Sequence, residues 1–271
     1  MPQADVGGVR LHYEVSGSGP MLVLLNGIFQ RLEAWDALLA HFPHRTLLRY
    51  DMRGQGRSDA PPGAYTPALH AQDLQGLLAA TGVERCALLG LSNGGVVAQH
   101  FASTRPPGLD ALVLACTTPR LDPLLRAKVE SWAAALEAGG TRLRIKIAAP
   151  WAWGKRFTEA NPQALAADAL AAAAELAPAE PAQRALLEGF LTMDDLRPAL
   201  GRIETPTLVL SGGDDLLFPP AYGREIAAAI PGASFEVLPG VGHVAPVEDP
   251  AGFAGRVHAF LAGTVEGVNW C

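Results

Sequence analysis

Ser92 is the residue with the strongest sequence signal for chemistry. It stands between Gly90 and Gly94, so the segment fits the pattern G-x-S-x-G, and an apolar run over 86–89 precedes it. This run has the composition of a buried strand, and a predicted helix follows the serine. A nucleophile on a sharp strand-to-helix turn needs small neighbours, because the helix packs closely against the strand. The pattern therefore predicts that Ser92 is a nucleophile.

A serine nucleophile needs a base, and His243 is the histidine best placed to supply one. It lies in a glycine-containing loop after a predicted strand over 234–238, where packing alone gives a histidine little reason to be. A carboxylate must fix the tautomer of the imidazole and stabilise its cation. Asp214 and Asp215 follow the predicted strand over 207–211. Adjacent side chains in an extended loop point in opposite directions, so one of the two should face His243, and the residues alone leave the choice open.

The order of these residues along the chain is serine, aspartate and histidine, as expected for a triad on a parallel sheet. Each follows the end of a predicted strand, so the three loops can converge at one edge of the sheet. An oxyanion hole should then use two backbone N–H groups. The first belongs to Asn93, directly after Ser92, and the second to Ile28, in the loop after a predicted strand over 21–25.

No pattern in the sequence predicts a cofactor or a metal ion. The segment 51–58 contains two glycines, but the G-x-G-x-x-G phosphate pattern is incomplete there, so a tight structural loop is the better interpretation. Histidines, cysteines and carboxylates show no metal-ligand spacing. Cys86 and Cys116 stand in or beside apolar runs and are predicted to be core residues, and Cys271 is the last residue. We expect none of the three to be catalytic.

The elements around these residues alternate between strands and helices. This alternation predicts an α/β fold, with a mostly parallel sheet covered by helices on both faces and ligands at the carboxyl ends of the strands. The predicted strands are 9–15, 21–25, 46–50, 86–89, 111–115, 207–211 and 234–238. The predicted helices outside the middle of the chain are 32–41, 67–80, 222–230 and 253–261, besides the helix after Ser92.

The composition changes between 119 and 200, where alanine dominates and helical periodicity replaces the short apolar runs. We interpret this segment as an inserted helical lid, so that 1–118 and 201–271 form the core domain. Aromatic residues of the lid could line an apolar substrate pocket or form the core of the lid itself. The candidate substrate-binding residues are Phe29, Trp151, Trp153 and Val244.

Three basic residues of the lid, Arg142, Arg144 and Lys146, stand close together in the sequence. A solvated helix face is the favoured interpretation, and a clamp for a substrate carboxylate is the alternative.

The overall composition limits the classes of partner. Of the 271 residues 49% are hydrophobic, enough for a substantial core, and the net charge of −6 gives no reason to expect nucleic acid. No window reaches the ~18 uninterrupted apolar residues of a membrane span. The N-terminus lacks a basic start before an apolar core, so no signal peptide and a cytoplasmic location are expected. The predicted partner is a small molecule, and the sequence makes no prediction of an oligomeric state.

Five blocks of sequence, in the right order, resemble the α/β-hydrolase superfamily over essentially the whole chain. They cover 22–27, 51–58, 90–95, 206–215 and 242–250. In that family the triad acid usually stands at the position matched by Asp215, so the resemblance selects Asp215 over Asp214. The pair Asn26-Gly27 is similar to 3-oxoadipate enol-lactonases and to medium-chain polyhydroxyalkanoate depolymerases, which cleave esters. Leu91, before the serine, is also similar to the enol-lactonases.

These observations predict a serine-dependent hydrolase of carboxylic esters or lactones. Ser92 would attack the carbonyl carbon, His243 would act as base and then acid, and Asp215 would orient His243. The same triad leaves two other reactions open, namely hydrolysis of a carbon–carbon bond in a vinylogous diketone and cofactor-free perhydrolase chemistry of the haloperoxidase type. A non-catalytic ligand-binding module that retains the triad is a third alternative.

Overall fold

In a computed structural model of the protein, which describes residues 2–265, eight strands form one sheet. Their order in the sheet is β1-β2-β4-β3-β5-β6-β7-β8. β1 and β2 run antiparallel to their neighbours, and all pairs from β4 to β8 are parallel. The prediction of a mostly parallel sheet is confirmed. The strands are β1 (Gln3–Asp5), β2 (Arg10–Gly17), β3 (Met21–Leu25), β4 (Thr46–Tyr50), β5 (Cys86–Leu91), β6 (Leu109–Ala115), β7 (Thr207–Gly212) and β8 (Ser234–Leu238).

The central strands are buried along almost their whole length, as their continuous apolar sequences require. β2 lies near the edge of the sheet and is exposed at its C-terminal end. Several strands differ from their predicted bounds, since β2 begins one residue and ends two residues later than predicted and β7 is one residue longer. β5 and β6 are each two residues longer than predicted, and β1 was not predicted because three residues are too few for an alternating pattern.

Helices connect the strands, and the predicted helix over 32–41 is wrong in type. A 3₁₀ helix (Leu32–Trp35) is followed there by a single turn of α-helix. The short α10, directly after His243, was not predicted. The α-helices are α1 (Asp36–Leu39), α2 (Pro67–Ala80), α3 (Asn93–Ser103), α4 (Pro123–Ala152), α5 (Lys155–Ala160), α6 (Ala167–Leu176), α7 (Glu180–Leu191), α8 (Arg197–Leu200), α9 (Pro220–Ala229), α10 (Ala245–Glu248) and α11 (Pro250–Val265).

The segment 119–200 is called the lid below. It contains α4 to α8 and no strand. Its longest element, α4, is interrupted at Gly139 and Gly140, where the backbone leaves helical angles and Gly140 has a φ of 66°. Both halves contribute buried side chains, whereas α6 contributes none. The division of the chain into core and lid stays a prediction.

Apolar side chains form a separate cluster on each face of the sheet. Along β3, Val23 and Leu25 belong to one cluster, and Leu22 and Leu24 to the other. Successive residues of a strand point to opposite faces, so this alternation requires cover on both sides.

Two of the three cysteines lie in these clusters, one in each. Cys86 and Cys116 are buried free thiols, and burial raises the pKa of Cys86 to about 12. Cys271 lies outside the described residues. Among the helices of residues 2–265, none is long and apolar enough to cross a membrane.

Candidate active site

Ser92 occupies the turn between β5 and α3 in a conformation that few residues other than glycine adopt. Its φ is 57° and its ψ is −121°. A Cβ atom on Gly94 would lie 2.2 Å from the carbonyl oxygen of Leu25, and one on Gly90 would lie 2.4 Å from that of Gly94. The hydroxyl of Thr117 donates to the carbonyl oxygen of Ser92 at 2.7 Å. The backbone strain and the need for small neighbours, both expected around a nucleophile, are therefore present at this turn.

The structure brings Ser92, His243 and Asp215 into one chain of hydrogen bonds. Nε2 of His243 lies 2.9 Å from Oγ of Ser92, and Nδ1 of His243 lies 2.9 Å from Oδ2 of Asp215. All three side chains are buried, and the ring of Phe218 packs edge-on against the imidazole. With Nδ1 protonated, Nε2 can accept the hydroxyl proton while the carboxylate stabilises the cation that forms.

Asp215 faces His243 because the loop after β7 fixes its carboxylate. Oδ1 of Asp215 accepts hydrogen bonds from the backbone N–H groups of Leu217 and Phe218 at 2.9 and 2.8 Å. The second oxygen, Oδ2, is left for the imidazole. Asp214 is half-buried and does not bond to His243.

The loop that carries His243 is bound both to α10 and to the end of α4. The backbone N–H of His243 donates to the last carbonyl of α4 at 3.0 Å. Oε2 of Glu248 accepts from the N–H groups of Gly242 at 2.7 Å and Gly154 at 3.1 Å, and Oε1 accepts from that of Val244 at 3.2 Å. Burial raises the pKa of Glu248 although these N–H groups act to lower it. One carboxylate therefore joins the imidazole loop to the lid.

Two backbone N–H groups beside Ser92 are free to bind an oxyanion. Within residues 2–265, the N–H groups of Ile28 and Asn93 donate to no acceptor. That of Asn93 is free because the first N–H of a helix has no partner inside the helix. A Cβ atom on Gly27 would lie 3.4 Å from that of Ser92, so the loop of Ile28 runs beside the hydroxyl. Gln30 holds this loop, because its Oε1 accepts from the N–H of Gly27 at 2.8 Å.

Asn26, at the end of β3, is fully buried and is held by structural hydrogen bonds. Its Nδ2 donates to the carbonyl oxygen of Tyr50 at 3.0 Å, and its Oδ1 accepts from Nε1 of Trp35 at 2.5 Å. Both ends of the amide are occupied, so the side chain holds the loop of Ile28 in place.

Ser92 and His243 line a cavity of about 790 Å³, to whose walls both the segment 119–200 and the rest of the chain contribute. Its walls are mainly apolar, and Phe29, Trp153 and Val244 contribute to them. A volume of this size is typical of small-molecule sites, in which a few polar groups orient the ligand.

Trp151 is the predicted substrate-binding residue that does not line this cavity. Its ring packs 6.0 Å from that of Trp132, and Trp132 is part of the wall. Trp151 and Trp153 are two residues apart at the end of a helix, so their side chains leave it in different directions. The helical spacing of Trp151 and Trp153 was therefore the sequence signal that only one of them could line the cavity.

The basic residues of α4 do not form a single solvated face, so that prediction is wrong for Arg144. Arg142 and Lys146 are exposed, whereas Arg144 is only 4% exposed and lines the cavity. Residues four apart share a helix face, and a residue midway between them points elsewhere. Helical spacing was the signal that could have distinguished Arg144.

Glu248 was not singled out from the sequence either, although it lies in the block 242–250 that carries the resemblance. Its contacts are to backbone N–H groups, which every residue except proline carries, so the sequence contains no partner residue that could reveal them. In the described part of the chain, no group of three or more His, Cys, Asp or Glu side chains could hold a metal ion.

Comparison with known proteins identifies the family. A family profile described as alpha/beta hydrolase fold matches residues 20–250. The chain belongs to the α/β-hydrolase fold family. The eight-stranded sheet and the serine turn after β5 are therefore features of an α/β hydrolase, as the resemblance implied, and family membership supports hydrolytic activity.

Relatives within this α/β-hydrolase family differ in the bond that their names describe. The chain is 31% identical to "Putative carbamate hydrolase RutD" of Variovorax paradoxus, over 93% of this chain and 96% of that protein. The enol-lactonase of Burkholderia xenovorans is 30% identical, with a TM-score of 0.86 over 96% of this chain and all of the other. A thermophilic esterase from Thermogutta terrifontis is 26% identical, with a TM-score of 0.84 and 97% of each chain covered.

Proposed function

We propose that this α/β hydrolase cleaves carboxylic esters or lactones through an acyl-enzyme on Ser92. The observation that carries the proposal is the hydrogen-bonded chain from Ser92 through His243 to Asp215, with 2.9 Å at each step. A buried hydroxyl in line with an imidazole and a carboxylate is suited to nucleophilic attack on a carbonyl carbon.

The first half of the reaction forms the acyl-enzyme. Oγ of Ser92 bonds to the carbonyl carbon as Nε2 of His243 takes the hydroxyl proton, and the carbonyl oxygen becomes an oxyanion. The N–H groups of Ile28 and Asn93 bind that oxyanion. The carbon–oxygen bond to the leaving alcohol then breaks, and His243 gives its proton to the alkoxide.

The second half releases the acid. Water attacks the acyl carbon and gives a proton to His243, a second oxyanion forms, and Ser92 leaves with the proton returned by the imidazole. In a lactone the leaving alcohol stays attached to the acyl group, and the product is a single hydroxy acid. Asp215 keeps Nδ1 of His243 protonated throughout.

Carbamates form a second candidate substrate class. The relative at 31% identity is named as a carbamate hydrolase, whereas the relatives with solved structures are named as an enol-lactonase and an esterase. All three bonds have an acyl carbon that a serine can attack. The mainly apolar wall, to which Phe29, Trp153 and Val244 contribute, favours the ester or lactone, because it suits the hydrocarbon part of such a substrate.

The test is a panel of p-nitrophenyl esters, aliphatic lactones and aryl carbamates, assayed with the native protein and with Ser92→Ala. We expect turnover of esters or lactones that is lost in Ser92→Ala, together with fluorophosphonate labelling of the native protein alone. Turnover that survives Ser92→Ala would overturn the mechanism. A folded protein that neither labels nor turns over any substrate would instead support a non-catalytic binding module.

A further inference from the structure

Arg144 is a buried cation in the wall of the cavity that Ser92 and His243 line. It lies in the second half of α4 and is 4% exposed. Burying a charged group costs free energy unless a partner of opposite charge replaces its lost hydration. The contacts of Arg144 therefore decide what the cavity can bind.

The contacts of Arg144 hold its guanidinium in place without neutralising it. Its Nε donates to Oε1 of Gln183 at 2.6 Å, and its Cζ lies 4.0 Å from the centre of the Phe29 ring. Gln183 is fixed in turn, because its Nε2 donates to Oγ1 of Thr141 at 2.8 Å and to the carbonyl oxygen of Pro178 at 2.6 Å. This leaves the remaining N–H donors of Arg144 without a partner among residues 2–265.

Among residues 2–265 the other buried arginine, Arg49, and the half-buried Arg53 both have carboxylate partners, whereas Arg144 has none. Arg53 bonds Asp73 through two nitrogens, at 2.8 and 2.6 Å, and Arg49 pairs with Glu14 at 2.7 Å. No carboxylate of residues 2–265 forms an ion pair with Arg144. Burial lowers the pKa of Arg144 to about 10, so the side chain still carries its charge at neutral pH.

We propose that Arg144 binds a carboxylate carried by the substrate. The ligand would be an ester or lactone with one free carboxylate beyond the carbonyl that Ser92 attacks, so this inference rests on the proposed function. A guanidinium presents parallel N–H donors that match the two oxygens of a carboxylate.

The charge of the cavity favours a ligand with a single negative charge. Arg31 also lines the cavity, but it is paired with Glu33 at 2.8 Å. One uncompensated guanidinium balances one carboxylate, whereas a phosphate monoester would bring close to two charges. The apolar wall then contacts the chain between the carboxylate and the scissile bond.

The test compares two esters that differ in this one charge, mono-p-nitrophenyl glutarate and its methyl-capped diester. We expect the native protein to have the higher kcat/KM for the glutarate monoester. Arg144→Gln should lower the ratio of the two kcat/KM values by about 10- to 100-fold, the range of a hydrogen-bonded charge pair. Arg144→Lys should retain part of the ratio, because lysine keeps the positive charge but lacks the paired N–H donors of a guanidinium. Arg142→Gln, an exposed change on the same helix, is the control and should leave the ratio unaltered.

Two outcomes would overturn the carboxylate site while leaving the hydrolase proposal intact. The native protein could turn over both esters without a preference, or Arg144→Gln could lower both kcat/KM values equally, which would indicate a structural role.

Binding measured without turnover separates failure of this inference from failure of the proposed function. Monomethyl glutarate, titrated calorimetrically into Ser92→Ala, should bind at least about tenfold more tightly than into the double variant with Arg144→Gln. Equal binding to the two variants would overturn the carboxylate site, whatever reaction the native protein catalyses. Tighter binding to Ser92→Ala together with an inactive native protein would support the site and contradict the hydrolase.

Discussion

Oδ2 of Asp215 lies 2.9 Å from Nδ1 of His243, and Oδ1 of the same carboxylate is held by two backbone N–H groups. The loop therefore directs one oxygen at the imidazole before any substrate binds. Replacing only the charge of Asp215 should then lower activity without disturbing the loop.

Asp215→Asn should lower kcat by about 10³- to 10⁴-fold, because an amide in this place can favour the wrong imidazole tautomer. Asp214→Asn is the matched control, and its kcat should stay within about threefold of native, since the half-buried Asp214 does not bond to His243. Steady-state rates on the best ester of the panel measure both. A larger loss in Asp214→Asn would move the proposed acid to the neighbouring position.

The sequence predicts most of the sheet because its central strands are continuous apolar runs. β3, β4 and β8 begin and end at the predicted residues, and the confirmed α/β fold follows from their alternation with helices. The predictions fail in segments that are too short or too irregular to show a periodic pattern of apolar residues. β1 is too short for one, and the segment 32–39 divides into a 3₁₀ turn and one α-turn.

The candidate site is predictable as a set of loops but not in the direction of each side chain. Ser92 and His243 stand out because each occupies a loop where packing gives it no other role. Which of Asp214 and Asp215 faces His243 depends on which carboxylate the backbone N–H groups of the loop bind. Two adjacent aspartates look the same in the sequence, so the residues alone cannot show this. Helical spacing separates Arg144 from Arg142 and Lys146, but its contact with Gln183, 39 residues along the chain, could not be predicted from the sequence.

Gly94 should tolerate no side chain. A Cβ atom there would lie 2.2 Å from the carbonyl oxygen of Leu25 and 2.6 Å from that of Asn26. These oxygens belong to the backbone of β3 and the loop of Ile28, so they cannot move away cheaply. Gly94→Ala should lower Tm by at least about 6 °C, the equivalent of about 3 kcal/mol in a chain of this size.

Gly255→Ala is the control for Gly94→Ala. Gly255 lies on an exposed face of α11, and nothing lies within 4 Å of a Cβ atom built there. Alanine forms helices better than glycine, so Gly255→Ala should keep or raise Tm. Equal Tm values for native protein and Gly94→Ala would contradict the close packing at the serine turn.

Glu248 should act as a positioning residue for His243. Glu248→Ala removes the acceptor of three backbone N–H groups and releases the imidazole loop from Gly154 of the lid. We expect a loss of about 10- to 100-fold in kcat, with KM changed much less, because misplacement of a reacting group by about 1 Å has an effect of this size. Glu248→Gln keeps one acceptor oxygen and should fall between native and Glu248→Ala.

The readout that separates positioning from stability is kcat measured well below the Tm of each variant. Glu175→Gln, an exposed change in the lid, is the control and should leave both kcat and Tm unaltered. A fall in Tm at unchanged kcat would assign Glu248 a purely structural role.

Asp122 should make the stability of the protein sensitive to acid. Its Oδ1 accepts from the backbone N–H of Leu125 at 2.9 Å at the start of α4, and its Oδ2 accepts from the hydroxyl of Tyr222 at 2.5 Å. Burial would raise the pKa of Asp122, but these two donors and the nearby Arg120 outweigh it and lower the pKa.

A carboxyl whose pKa is lower in the folded state takes up its proton first in the unfolded chain. Its contribution to the free energy of unfolding is therefore complete above about pH 4, the ordinary pKa of aspartate, and is lost as the pH falls through the folded value. Asp122→Asn keeps a helix-capping side chain without this titration, so its stability should fall less steeply between about pH 5 and pH 3. Urea unfolding at several pH values measures the slope, with the exposed Asp194→Asn as control. Parallel slopes for Asp122→Asn and the native protein would mean that the contacts of Asp122 add nothing to the acid sensitivity of the fold.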